Sequence, residues 1–291
     1  MSVPARPAPL FTDIDDVAKR LAETGYLPDT ATATAVFLAD QLGKPLLVEG
    51  PAGVGKTELA RAIAQCTGSG LVRLQCYEGV DEARALYEWN HAKQILRIQS
   101  GSGDWDQTKM DVFSEEFLLQ RPLLTAIRRT DPTVLLIDET DKADIEIEGL
   151  LLEVLSDFAV TVPELGTITA TRTPFVLLTS NATRELSEAL KRRCLFLHID
   201  FPDPDLERRI LLSRVPELPE KLAEELVRIV GVLRDMQLKK VPSVAETIDW
   251  GRTVLALGMD TIDDELIAAT LGVVLKHQSD QVKARGELRL N

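Results

Sequence analysis

The strongest constraint on this chain is the stretch at residues 50–57, which reads Gly-Pro-Ala-Gly-Val-Gly-Lys-Thr. It fits the pattern G-x-x-x-x-G-K-[ST], whose glycines let the backbone curl until successive N–H groups point at one anion. A short buried strand is predicted at 45–49 and a helix at 58–66, so the helix N-terminus faces the phosphates. These flanks argue against a chance match. The candidate ATP-binding residues are Gly50, Pro51, Ala52, Gly53, Val54, Gly55, Lys56 and Thr57.

The two last residues of this motif have separate tasks. The lysine, Lys56, reaches the β- and γ-phosphates, and the hydroxyl of Thr57 ligates Mg²⁺. ATP and Mg²⁺ are therefore the expected ligands.

The second motif is the pair Asp138 and Glu139. It directly follows a run of β-branched residues and leucine at 133–137. Such a run is typical of a central parallel strand with acidic residues at its carboxyl end. One carboxylate would hold the magnesium water shell, and the next would polarise the attacking water. The pair is a weak signal alone and a strong one after a phosphate loop. We predict that Asp138 binds Mg²⁺ and that Glu139 is catalytic.

Two further polar residues are candidates for the same site. A buried run at 175–179 is followed by Ser180 and Asn181, which places an amide at the carboxyl edge that holds Asp138. Asn181 would orient the attacking water. The alternative is that it only forms the turn after the strand. Tyr26 lies ahead of the phosphate loop, where it is a candidate contact to the adenine, with a plain core tyrosine as the alternative.

The chain divides by its periodicity. A proline-rich leader at 1–12 precedes a mixed pattern of helices and strands as far as the Pro-rich stretch that begins at Phe201. Beyond it the spacing is helical alone. We predict an α/β nucleotide-binding domain at 13–202 with a parallel sheet, and a small all-helical domain at 203–291. Predicted helices lie at 13–24, 29–42, 80–87, 117–129, 145–158, 186–193, 206–212, 219–233, 244–257 and 264–276; predicted strands lie at 71–76, 159–162, 167–170 and 194–199. Residues 89–112 are expected to form an irregular insertion.

Composition excludes several classes of function. The chain of 291 residues has a formal net charge of -13. Nonspecific binding to nucleic acid or to an anionic membrane would therefore have to overcome electrostatic repulsion. Its cysteines, Cys66, Cys76 and Cys194, are odd in number and lack C-x-x-C spacing, which favours reduced thiols. The three histidines are scattered and predict no metal site. With no signal peptide or apolar run of about 18 residues, a soluble cytoplasmic protein is expected.

The order of these motifs resembles the AAA+ ATPases, over about residues 13–276. The hairpin ahead of 175–181 and the insertion near Trp89 look like the MoxR branch. Within that branch, the stretches 74–79, 86–90 and 190–194 are similar to CoxD-type members, which are encoded beside molybdenum hydroxylases such as carbon monoxide dehydrogenase. The resemblance implies a three-layer α/β/α P-loop domain followed by a helical lid.

The resemblance also implies roles for residues. Lys56 and Thr57 take the Walker A roles, Asp138 and Glu139 the Walker B roles, and Asn181 the sensor 1 role. Arg193 aligns best with the arginine finger, which acts on ATP bound by the neighbouring subunit, and Arg192 is the fallback. The implied assembly is a homo-oligomeric ring, usually a hexamer, that remodels a client protein with a von Willebrand factor A domain partner.

One position departs from the family pattern. Residues 243–247 read Ser-Val-Ala-Glu-Thr, and Ala245 stands where many relatives carry the sensor 2 arginine. Two other functions remain possible beside that of a chaperone. A DNA motor or loader of the same fold is opposed by the acidic charge. A nucleotide-binding switch that hydrolyses little is favoured by Ala245.

Overall fold

The computed structural model describes residues 8–100 and 112–288. The start of the proposed leader and residues 101–111 of the proposed insertion lie outside these ranges. Two helices come first, α1 (Ile14–Glu23) and α2 (Thr30–Leu42). Each begins after an aspartate, Asp13 or Asp29, whose carboxylate accepts a hydrogen bond from a backbone N–H of the first turn.

The centre of the molecule is a parallel sheet of five strands. In chain order these are β1 (Leu46–Glu49), β2 (Gly70–Gln75), β5 (Thr133–Asp138), β8 (Phe175–Ser180) and β9 (Leu195–His198). Their order across the sheet is β2-β5-β8-β1-β9. Both β5 and β8 are buried along their whole length, as strands covered on two faces must be. All carboxyl ends therefore meet at one edge, with β1 and β5 on either side of β8.

Helices cover both faces of the sheet. Val134 and Leu136 of β5 pack in one hydrophobic cluster with α1, α2 and α3 (Lys56–Thr67). Leu135 and Ile137 pack in another with α6 (Pro122–Arg128), α7 (Ile145–Asp157) and α8 (Glu188–Arg193). Because alternate residues of a strand face opposite sides, the two clusters make a three-layer α/β/α domain. The predicted fold class is confirmed.

The region between β2 and β5 differs from the sequence prediction. The helix predicted at 80–87 is shorter, α4 (Glu82–Ala85), and is followed by β3 (Tyr87–Trp89). This strand pairs antiparallel with β4 (Leu118–Gln120), where a helix from 117 was predicted. That prediction was wrong because Pro122 lacks a backbone N–H and so stands in the first turn of α6. The insertion is also less irregular than predicted, since α5 (His91–Ser100) lies within it.

After β5, the predicted hairpin is present as β6 (Ala159–Val162) and β7 (Gly166–Thr169). The chain then ends in five helices, α9 (Pro204–Arg214), α10 (Glu220–Asp235), α11 (Val244–Ala256), α12 (Asp264–Val274) and α13 (Gln278–Glu287). The last of these was not predicted. The helices share their own core, in which Trp250 is fully buried, and form the helical lid.

Three lid helices are joined by a buried polar network. Glu207 of α9 is 2% exposed and accepts from Arg234 of α10 at 2.5 and 2.8 Å. Thr247 of α11 donates to the same carboxylate at 2.7 Å. The Arg234 guanidinium also lies 4.4 Å from the ring centroid of Phe201, in the segment between β9 and α9. The proposed domain boundary at 202/203 falls in this segment and remains a prediction. Within the described ranges, every helix is too short or too polar to cross a bilayer.

Candidate nucleotide-binding site

Residues 50–55 form a tight loop between β1 and α3, and Lys56 and Thr57 begin the helix. Gly50 and Gly53 have φ angles of +156° and +77°, a region that residues with a Cβ rarely adopt. A Cβ on Gly50 would lie 1.9 Å from the carbonyl oxygen of Ile199, and one on Gly53 would lie 2.3 Å from Oγ of Ser243. The glycines are thus required by both conformation and space. The result is a curled backbone that ends at a helix N-terminus, a geometry suited to binding an anion.

Lys56 joins this loop to the end of β8. Its side chain is nearly buried, and its ammonium donates to the carbonyl oxygens of Gly50 and Pro51, both at 2.6 Å. The third bond goes to Oδ1 of Asn181 at 2.8 Å. Burial lowers the pKa of Lys56, while neighbouring carboxylates, led by Asp141, act in the opposite direction. The predicted lysine and the predicted sensor amide are therefore in direct contact.

Asp138 is held on both of its oxygens. It is 2% exposed, and its Oδ1 accepts from the hydroxyls of Thr57 at 2.9 Å and Thr179 at 2.6 Å. Its Oδ2 accepts from Nε and Nη2 of Arg73 at 3.0 and 2.5 Å. The two residues predicted to bind Mg²⁺, Thr57 and Asp138, thus touch each other.

Glu139 lies directly beyond β5 with an unusual backbone. Its φ of 56° and ψ of 48° fall in the left-handed region, which is uncommon for a residue with a side chain. Its N–H donates to Oγ1 of Thr179 at 2.8 Å. Its carboxylate accepts from Nε2 of Gln75 at 2.9 Å and from Nζ of Lys142 at 2.7 Å. The turn places a partly exposed carboxylate beside the phosphate loop, where water has access.

Sequence reasoning missed four residues that support this site. Arg73 and Gln75 come from β2, Thr179 from β8, and Asp141 from the turn after Glu139. Asp141 is buried and accepts from the N–H of Thr183 at 3.0 Å. Burial would raise the pKa of its carboxyl, but the Thr183 hydrogen bonds outweigh this and the net shift is downward. One signal was available: Arg73 and Gln75 are the polar members of an alternating strand.

Tyr26 lies against the phosphate loop. A Cβ on Gly55 would be 3.6 Å from Cε2 of the Tyr26 ring. Burial raises the pKa of the phenol, and the nearby carboxylates of Asp29 and Glu58 raise it further. The phenol is therefore neutral at physiological pH. Its contact with an adenine remains a prediction.

Comparison with known proteins decides the family. The model of the AAA domain, dynein-related subfamily, matches residues 45–194, just over half of the chain. The chain belongs to this AAA family. An uncharacterized protein of Staphylococcus aureus (strain bovine RF122 / ET3-1) is 24% identical over 215 residues, which are 70% of this chain and 72% of that protein. The Lon protease of Leptospira interrogans is 32% identical over 168 residues, 53% of this chain and 17% of the protease.

Among solved structures, the Thermotoga maritima RuvB P216G mutant aligns with a TM-score of 0.49 at 18% identity. The alignment covers 98% of this chain and 74% of that one.

In this AAA protein the lid touches the phosphate loop. Ser243, the N-cap of α11, packs against Gly53 and forms a capping box with Glu246. Arg214 of α9 forms an ion pair with Glu58 of α3, with 2.7 Å between Nη2 and Oε1. Ala245 stands exposed in the first turn of α11. The lid is thus held on the loop without an arginine at position 245.

The predicted arginine finger lies far from its own phosphate loop. Arg193 ends α8, and its Nε donates to Oγ of Ser156 at 2.8 Å. Two residues on, the N–H of Leu195 donates to the carbonyl of Pro45, just ahead of β1, at 2.8 Å. The phosphate loop follows the other end of β1, and a strand of that length spans about 10 Å. Arg193 and its neighbour Arg192 are therefore at the amino edge of the sheet and the loop is at the carboxyl edge.

The side chains at the carboxyl edge fit the predicted ligands. The glycine-lined loop suits phosphate, and the hydroxyl of Thr57 and carboxylate of Asp138 are hard oxygen donors of the kind Mg²⁺ prefers. Among the described residues, no group of three or more His, Cys, Asp or Glu side chains is arranged to hold a metal ion by itself. Remaining ligands would have to be water and phosphate oxygens, which is the usual way Mg²⁺ binds with a nucleotide.

Proposed function

We propose that this AAA protein hydrolyses ATP to ADP and phosphate, with Mg²⁺ as the cofactor. The observation that carries the proposal is the meeting of three distant chain segments at one sheet edge. Thr57 of the phosphate-binding motif contacts Asp138 at the end of β5, and Lys56 contacts Asn181 after β8. A phosphate-binding loop, a metal-binding carboxylate and a water-orienting amide are the parts that phosphoryl transfer to water requires.

Each residue has a task in this proposal. The loop N–H groups and Lys56 bind the phosphates, exchanging carbonyl acceptors for charged oxygens. Thr57 and Asp138 hold Mg²⁺, which supplies positive charge against the phosphate oxygens when bound. Glu139 accepts the proton of the attacking water, and Asn181 orients that water. Arg193 of a neighbouring copy stabilises charge on the transferring phosphoryl group.

We further propose that the protein works as a ring, most simply a hexamer, of the MoxR type. Support comes from the position of Arg193 at the amino edge of the sheet, away from its own phosphate loop. The MoxR likeness of the hairpin and the insertion, and the CoxD likeness at 74–79, 86–90 and 190–194, suggest a remodelling chaperone with a von Willebrand factor A domain partner. The client in this proposal is a protein complex such as a molybdenum hydroxylase, for example carbon monoxide dehydrogenase.

A second candidate is a nucleotide-binding switch with little hydrolysis. It is favoured by Ala245, which leaves the first turn of α11 without the cation that many relatives direct at the nucleotide. Turnover by the purified oligomer separates the two functions.

The Glu139→Gln variant tests the hydrolytic function. It should bind ATP with unchanged affinity in calorimetry and lose steady turnover by a factor of about 10² or more, because the water loses its general base. Turnover of the variant at the native rate would contradict the assignment. Stimulation of native turnover by the apo form of a molybdenum hydroxylase would support the client proposal, whereas stimulation by DNA would favour the motor instead.

A further inference from the structure

The phosphate loop is surrounded by acidic side chains. Four carboxylates, from Asp141, Asp138, Glu139 and Glu49, act electrostatically on Lys56. Such a group would attract divalent cations before a nucleotide arrives, unless cations of the protein itself balance it. Among the described residues, two cations contact this group, Lys142 on Glu139 and Arg73 on Asp138. The ammonium of Lys56 is bonded to two carbonyl oxygens and to Asn181 instead.

Arg73 has the more specific geometry of the two, because it reaches its carboxylate with two donors. A carboxylate has about four lone-pair positions, and those of Asp138 are filled by two donors of Arg73, by Thr57 and by Thr179. The Arg73 donors both reach Oδ2, and the hydroxyls both reach Oδ1. Oδ1, the oxygen nearer the phosphate loop, therefore accepts from two threonine hydroxyls. Both lone-pair positions of Oδ2 are occupied by the guanidinium of Arg73.

The position of Arg73 does not serve the hydrophobic core. Its side chain is 44% exposed, while that of Asp138 is 3% exposed. Arg73 and Gln75 lie two residues apart on β2 and therefore on one face, and Gln75 is the register partner of Asp138. Arg73 also donates to Oε1 of Gln75, whose amide donates to Glu139. The edge strand β2 therefore binds both Asp138, the last residue of β5, and Glu139, which follows it.

We propose that Arg73 is a positioning residue that acts as the resident counter-cation of Asp138. It keeps Oδ2 from serving as a direct cation ligand. Oδ1, whose partners are the uncharged hydroxyls of Thr57 and Thr179, is the oxygen that can exchange a partner for the magnesium shell. Arg73 also keeps divalent cations off the acidic group until a nucleotide brings its phosphate oxygens. The inference rests on the proposed ATPase function.

The test measures Mn²⁺ binding to the nucleotide-free protein by electron paramagnetic resonance. The native chain should bind Mn²⁺ weakly, and Arg73→Gln should bind it about 10-fold or more tightly because one positive charge beside the carboxylates is gone. Arg73→Lys keeps the charge and should restore weak binding. Lysine cannot present the forked pair of donors, so this variant should still show a lower kcat at saturating ATP and Mg²⁺. The matched control is Arg228→Gln, an exposed arginine of the lid.

Each result is decisive. Unchanged Mn²⁺ affinity in Arg73→Gln overturns the proposal, as does an equal rise in Arg228→Gln or in Arg73→Lys. Circular dichroism checks folding, and Arg73→Met, which keeps the aliphatic stem, replaces the glutamine variant if that one does not fold. Binding of ADP without metal is measured on the native chain. Failure of the native chain to bind ADP would refute the proposed function, whereas the Mn²⁺ comparison bears on Arg73 alone.

Discussion

At the scale of single residues, Lys56 is where the phosphate loop meets the rest of the sheet. An ammonium has three donors, and here all three are used within the protein, on Gly50, Pro51 and Asn181. Nucleotide phosphates would therefore replace existing partners instead of entering a site with an unsatisfied charge.

Replacing this lysine should affect binding first. Lys56→Ala should weaken ATP affinity in calorimetry by about 10- to 100-fold, since a hydrogen bond to a charged group contributes about 1.5–3 kcal/mol. Lys44→Ala is the control, because Lys44 is exposed and precedes β1 at the opposite edge. An unaltered affinity in Lys56→Ala would mean that the loop is only a turn.

At the scale of elements, the sequence predicted the strands that a local pattern determines. It did not predict the contacts that depend on which strands are neighbours in the sheet. The strands before Gly50 and Asp138 were predicted to within about a residue, because apolar runs bounded by motif residues are unambiguous. The alternation of β2 marks Arg73 as a polar strand residue. Its contact with Asp138, like that of Thr179, could not be predicted, because no local pattern shows that β2 and β8 flank β5. The short β3–β4 ladder was missed because three-residue strands carry little periodicity.

The same scale includes the connection of α7 to α8. Glu148 of α7 is buried, pairs with Arg184 at 2.5 Å and accepts from the N–H of Ser187, the N-cap of α8, at 2.9 Å. Burial alone would raise the pKa of Glu148, but the bonds from Ser187 and Arg184 together lower it below its usual value. Stability from a carboxyl with a lowered pKa is present above the unfolded-state value and is lost as pH falls through the folded-state value.

Glu148→Gln should therefore be less stable than the native chain by about 1–3 kcal/mol near neutral pH. The difference should stay constant down to about pH 5 and shrink at lower pH, where the native carboxyl becomes protonated. Urea unfolding at several pH values measures it. A difference that grows on acidification would contradict the assigned partners. Glu146→Gln, on the exposed side of α7, serves as the control.

At the scale of the whole molecule, the two proposed catalytic parts lie at opposite edges of one sheet. The phosphate loop follows the carboxyl end of β1, and Arg193 precedes β9 at the amino end. A subunit of this shape can donate an arginine on one side and receive one on the other. Such a head-to-tail contact generates a ring when its rotation closes.

Mixing two inactive variants tests this arrangement. Arg193→Ala should bind ATP normally but hydrolyse it about 10³-fold more slowly, if it acts as a finger in trans. Adding Glu139→Gln protein should restore part of the turnover, because its intact Arg193 can serve a neighbour whose Glu139 is intact. A mixture that stays inactive although mixed rings form, or native turnover by Arg193→Ala alone, would refute the trans role and make Arg192 the next candidate.

The partly buried Arg234 has a mechanical consequence for the lid. Its guanidinium binds Glu207 of α9, lies over Phe201 ahead of that helix, and donates through Nε to the carbonyl of Pro242 at 2.8 Å. The next residue, Ser243, rests on Gly53 of the phosphate loop. A planar group fixed at three points leaves little internal freedom between Phe201 and Ser243. One guanidinium therefore links Phe201, α9 and the residue before Ser243, so a rotation of the lid about Phe201 would displace Ser243 relative to the phosphate loop.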